Sequence, residues 1–179
     1  MTAFARLLCR CLLWLTLPAF TTASLASTEL VLDSSFTHKD LIEHVSFLKD
    51  ASGQLSVQDV LQQQDAFIAY SKQTINEGYS RDAWWFSFRL YNNEQKSAQW
   101  WLNIDYSLLD HIDVYEVEAG ANTPRMIART GDKLPLASRP AQTSTFAFPL
   151  QLSPEREYQY LVRVQTDGSY CASGDPRVV

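Results

Sequence analysis

Residues 83–92 read Ala-Trp-Trp-Phe-Ser-Phe-Arg-Leu-Tyr-Asn, and their pattern decides the fold class. Trp84, Phe86, Phe88 and Leu90 alternate with Trp85, Ser87, Arg89 and Tyr91. A period of two lays one apolar row along one face of an extended chain. Residues 98–106 repeat the pattern, with Trp100, Leu102, Ile104 and Tyr106 set against Trp101, Asn103 and Asp105. Asn92-Asn93-Glu94-Gln95-Lys96 separates the two segments as a turn. They are therefore expected to pair as a hairpin with their apolar faces on one side.

The flanking sequence carries more short strands divided by turn residues. Residues 44–49, 112–117, 125–129, 144–152 and 158–165 read as strands, and Gly53, Gly120, Pro124, Gly131, Pro135, Pro140 and Pro154 fall in the breaks. Pro149 interrupts the late alternation of Phe146, Phe148, Leu150 and Leu152, which marks an edge strand or a bulge. Ser56 and Asp59 are spaced for a capping box, with Val57, Val60 and Leu61 on one face of a short helix. Six or seven strands and at most one or two short helices imply an all-β chain. Its natural packing is an antiparallel two-sheet sandwich of jelly-roll type.

The first 26 residues have the layout of a secretory leader. Arg6 and Arg10 are followed by an apolar stretch to Leu17, Pro18 ends it, and Ser24-Leu25-Ala26 has the small-x-small form of a cleavage site. The uncharged run from Leu12 is too short to span a bilayer, which takes roughly 20 residues. The expected organisation is a signal peptide over 1–26, a periplasmic domain over 27–170 and an atypical tail over 171–179.

The whole chain has a formal charge of −5. Loss of a leader carrying two arginines and no acid takes this further negative, and an acidic domain without a basic stripe is unsuited to nucleic acid. Of three cysteines only Cys171 lies beyond the leader. This excludes an internal disulfide and a cysteine zinc site in the mature chain, and leaves open a dimer bridged through Cys171.

No catalytic constellation appears: the sequence has no Gly-x-Ser-x-Gly, no Gly-rich phosphate loop, no His-Glu-x-x-His and no Cys-x-x-Cys. His111 with Asp110 and Asp113 groups metal-ligand types, but in a strand Asp110 points away from the other two. The grouping reads as a solvated strand edge, so neither metal nor cofactor is expected. The aromatics are more informative. Alternation sends one tryptophan of each pair, Trp84-Trp85 and Trp100-Trp101, to each face of the sheet. One face is core. The other sets Trp85 and Trp101 among Arg89, Asn103 and Asp105 as a platform for a sugar ring, unless the 56–70 segment covers it. Arg89 and Arg139 are candidates to clamp an anionic ligand. The candidate ligand-binding residues are thus Trp85, Arg89, Trp101 and Arg139, with a small molecule or glycan as the partner.

Several segments together resemble a known family. Phe47-Leu48-Lys49-Asp50 with Leu55-Ser56-Val57-Gln58-Asp59-Val60, then Trp85-x6-Asn92 and Leu109-Asp110-His111-Ile112-Asp113-Val114-Tyr115, follow its order. So do Thr130-Gly131-Asp132…Pro135…Arg139, Phe146-x-Phe148-Pro149-Leu150 and Val162-Arg163-Val164-x-Thr166-x-Gly168-Ser169. The chain is similar, over residues 44–169, to the second type of extracellular domain of bacterial seven-transmembrane receptors with diverse intracellular signalling modules (7TMR-DISM). The resemblance implies a jelly-roll sandwich related to carbohydrate-binding modules, lying in the periplasm. It also implies a seven-helix receptor region and an output such as a diguanylate cyclase or histidine kinase as partners. Neither follows in this sequence, and the tail 171–179 lacks the apolar strand the family has after Gly-Ser. The chain is thus expected to be a sensor domain, cut short or frameshifted, with an exposed sheet edge. The alternatives are a stand-alone periplasmic adaptor acting on a partner receptor and a fragment without function of its own.

Overall fold

The computed structural model describes residues 29–179 apart from 36, 72–75, 80, 122, 168 and 172–175. The expected leader, 1–26, lies outside them. In chain order the elements are β1 (Leu30–Leu32), β2 (Lys39–Asp40), β3 (Ser46–Asp50), α1 (Val57–Leu61), β4 (Ile68–Ala69), β5 (Asn76–Tyr79) and β6 (Ala83–Asn92). There follow β7 (Ala98–Ile104), β8 (His111–Glu118), β9 (Arg125–Thr130), β10 (Phe146–Leu152), β11 (Glu157–Gln165), β12 (Ser169–Cys171) and β13 (Arg177–Val178). The chain is all-β, as the alternation predicts, and its α-helix has five residues.

Two sheets face each other. The large one runs β4–β3–β6–β11–β8–β9, with β1 parallel to the Leu90–Asn92 end of β6, and the small one runs β10–β7–β13–β2. β5 and β12 pair as a separate ribbon. All pairings apart from β1–β6 are antiparallel. Trp84, Phe86, Phe88 and Leu90 point inward, and their partners across the ladder on β11, Val164, Val162, Tyr160 and Tyr158, point the same way. From the small sheet Trp100, Leu102, Ile104, Phe146, Phe148, Leu150, Leu152 and Val178 close the same core. Burial at this density is the main favourable contribution to the fold.

The expected hairpin does not form. β6 and β7 lie in different sheets, β6 between β3 and β11, β7 between β10 and β13. Periodicity says which residues share a face, and two apolar faces can meet across a sandwich as well as side by side. Five residues separate the strands, enough chain to cross the roughly 10 Å between packed sheets. The crossing is held by Asn92, which is fully buried. Its amide nitrogen donates to the carbonyls of Lys96 (2.9 Å), Ser153 (3.0 Å) and Leu152 (3.2 Å), and its side-chain oxygen accepts from the Glu94 N–H.

Pro149 lies in β10, which is an edge strand, as expected for a residue that cannot donate to a ladder. The capping box is present: Ser56 Oγ accepts from the Asp59 N–H at 3.2 Å and Asp59 Oδ2 from the Ser56 N–H at 2.9 Å. The tail corrects its expectation. Arg177–Val178 inserts between β7 and β2, Val178 is fully buried, and Trp101 and Val179 exchange both backbone hydrogen bonds. Two residues suffice there because β7 already supplies the ladder.

Asn92→Ala leaves buried carbonyls at the crossing without their donor, so it is expected to lower the unfolding free energy by about 2–3 kcal/mol. Urea denaturation of the variant measures this, and a loss under about 0.5 kcal/mol, the range of an ordinary surface change, would contradict the role given to Asn92.

Candidate ligand-binding surfaces

The structure divides the four sequence-derived candidates between two places. Trp85 and Arg89 stand on the outer side of the large sheet, and Trp101 and Arg139 belong to the small-sheet side. The separation of β6 from β7 is the reason. Trp85 is only 1% exposed: α1 lies over it through Val57 and Val60, with Val117 and Leu161 beside it and the Tyr115 ring stacked at 5.9 Å. The 56–70 segment thus covers this tryptophan, and Trp85 shows no ring face to solvent.

Trp101 stands on the outer face of the small sheet. Along β7, Trp100, Leu102 and Ile104 are buried, whereas Gln99 is exposed and Trp101 and Asn103 are half-buried. Pro149 on β10 lies across the ladder from Trp101, and Val179 bonds to it from the other side. Arg177 pairs across from Asn103, and its guanidinium donates to Asp105. A shallow cleft of about 660 Å³ opens here, among His38, Asn103, Asp105, Thr145, Arg177 and Val179. Arg139 lies in the loop before β10, donates to the Thr143 carbonyl at 3.1 Å and covers the Phe146 ring at 4.5 Å. Trp101 is not among the residues lining this cleft but shares the strand face with its amide, carboxylate and guanidinium, and an indole beside such groups can stack on a ring and bond to hydroxyl groups at its edge.

A second cleft, also of about 660 Å³, opens on the outer side of the large sheet beside α1, and Arg89 lines it with Gln64, Gln159, Leu61, Val117 and Glu157. Gln159 Nε2 donates to Gln64 Oε1 (2.8 Å) and Ser87 Oγ (2.9 Å). Arg89 Nη1 is 3.7 Å from Glu157 Oε1. Nearby, burial and then the Glu157 charge raise the Glu29 pKa, while Arg89 opposes them. The glutamines were not legible as site residues, because Gln64 and Gln159 are 95 positions apart and meet only through the fold. Arg177 was missed because it falls in the tail.

The carboxylates of the Asp110–His111–Asp113 grouping are engaged by cations. Arg129 grips Asp113 at 2.7 and 3.0 Å. Lys133 Nζ bridges Asp110 (3.1 Å) and Asp167 (2.7 Å), and Asp110 also accepts from the Asp167 backbone N–H at 2.7 Å. Burial pushes the Asp110 pKa up, but the Asp167 N–H, Lys133 and Thr166 more than offset it, so the net shift is downward. Asp50 behaves alike, with burial outweighed by bonds from Ser52, Leu55 and Gly53.

A lowered folded-state pKa contributes stability that is complete above the ordinary aspartate value of about 3.9 and is lost as the pH falls through the folded value. The thermal midpoint, followed by circular dichroism, is therefore expected to hold from neutral pH to about 5 and to drop below about 4. Asp110→Asn should lower it at neutral pH and make the acid decline shallower, and an unchanged acid profile in that variant would count against the clasp.

No curated protein matches the chain. Among the described residues no helix is long and apolar enough to cross a membrane. Residues 42–173 match the family described as 7TMR-DISM extracellular 2, whose domains form the extracellular sensor part of seven-transmembrane receptors. The match covers the segments that carry the sequence resemblance, and the chain belongs to the 7TMR-DISM extracellular 2 family.

Proposed function

We propose that the chain is a periplasmic ligand-sensing domain of a bacterial receptor, delivered by the leader 1–26, and that the outer face of its small sheet binds a carbohydrate. The observation that carries this reading is Trp101, half-buried between Pro149 and Val179 with Asn103, Arg177 and Asp105 along the same face. A pyranose presents aliphatic C–H groups that stack on an indole, and its vicinal hydroxyls both donate and accept. An amide, a carboxylate and a guanidinium in one row answer both needs. The reading is of binding rather than catalysis, since the family is one of sensor domains. Transmission to a membrane region would follow from a shift in the small sheet, into which the Arg177–Val178 strand is paired.

The test takes protein from the periplasmic fraction, where intact mass reads whether residues 1–26 are gone. Neutral and amino-sugar oligosaccharides are then titrated while tryptophan fluorescence is followed. Saturable binding is expected, weakened at least about tenfold by Trp101→Ala in a variant that remains folded. Trp85→Ala should instead cost about 3–5 kcal/mol of stability. Absence of binding by every oligosaccharide, or binding indifferent to Trp101→Ala, would sink the proposal.

A further inference from the structure

The strand Arg177–Val178 holds more of the small-sheet face than its length suggests. Among the described residues β2 pairs with β13 and with no other strand, since the sheet runs β10–β7–β13–β2. Trp101 spends its backbone N–H and C=O on Val179, at 2.8 and 3.0 Å. Pro149, its neighbour on the other side of the ladder, has no N–H to offer. The indole put forward for stacking is therefore tied through its backbone to the tail. The cleft on this face straddles the same seam. His38, just before β2, lines it on one side with Arg177 and Val179, and Asn103 in β7, Asp105 just after it and Thr145 just before β10 line the other. Arg177 reaches across the seam to donate to Asp105.

We infer, resting on the carbohydrate reading of this face, that β13 with β2 is a strap that docks and undocks locally and that a sugar in the cleft holds it closed. β13 has two residues and so does β2, both of whose residues are exposed, whereas β11 has nine and is laddered on both sides. Segments with few buried apolar contacts open at a lower free energy than the whole domain unfolds. Val178 and Leu41, both fully buried, are the apolar anchors that return the strap to the small sheet. Opening takes away one wall of the cleft, the Arg177 guanidinium with it, and the backbone partner of Trp101. The open form thus offers a sugar fewer contacts than the docked form. A ligand that binds one form better draws the equilibrium toward it by its difference in affinity for the two.

Amide hydrogen exchange of the chain from the periplasmic fraction, resolved by NMR, tests this with cellopentaose and chitopentaose as probes. The reporters are the Trp101 N–H, bonded to Val179, and the Leu41 N–H, bonded to Pro176, set against the amides of β11. Without sugar, the two strap reporters are expected to be protected at least about tenfold less than β11. A sugar that binds, at about a hundred times its Kd, slows β11 exchange about a hundredfold because it stabilises the folded chain. The strap reporters are expected to slow by the same factor, because the open strap does not hold the sugar. Equal protection of strap and β11 in the free protein would overturn the inference. So would a sugar that slows β11 and leaves the strap unchanged, a result that keeps the carbohydrate reading and removes the strap from it. If neither sugar slows any amide, the carbohydrate reading fails, and closure of the strap by a sugar fails with it.

Discussion

One buried side chain decides how the rest of this sandwich is arranged. Asn92 ends β6, and its amide reaches the carbonyl of Lys96 ahead of β7 and those of Leu152 and Ser153 at the end of β10. Carbonyls taken out of water must find donors, and a single amide meets this need where both sheets come together. The backbone adds to it: the Asn92 N–H donates to Arg156 O and the Asn93 N–H to Leu32 O. The chain that leaves the large sheet at Asn92 is thereby directed into the small one, so Trp84 and Trp100 both point into the shared core while Trp85 and Trp101 stand on opposite outer sides. The opposite end has its own constraint. Gly131, at φ +153°, packs so closely on the Asp110 carbonyl that a Cβ would collide with it, and Lys133 two residues later clasps Asp110 and Asp167.

Much of this was legible in the sequence. The period of two identified β6, β7 and β10 and their apolar rows, the turn residues bracketed β8, β9 and β11, and the Ser56–Asp59 spacing identified the capped helix. Sheet membership was not legible, because alternation at Trp84–Leu90 and Trp100–Ile104 is the same whether the strands pair or oppose. Strands of two residues, such as β2, β4 and β13, fall below the length at which alternation shows, which is why the tail looked strandless. The burial of Trp85 turned on α1 docking over β6, a tertiary contact that leaves no mark on the local pattern. Arg89 and Trp101 were legible as candidates, but their separation to opposite sheets was not.

The two outer faces now carry different chemistry. The small-sheet face has an indole with polar groups around it, suited to rings and hydroxyls. The large-sheet cleft is lined by the Arg89 guanidinium, the Glu118 and Glu157 carboxylates, glutamine amides and aliphatic side chains.

The account stands on the division of the four tryptophans among the described residues, with Trp101 half-buried and Trp84, Trp85 and Trp100 buried. Brief oxidation of the folded chain with N-bromosuccinimide, located by peptide mass spectrometry, reads this directly. Modification is predicted at Trp101, with the other three protected until the protein is unfolded. Oxidation of Trp85 at a rate matching Trp101 would contradict the account, since it would put both indoles on one open face.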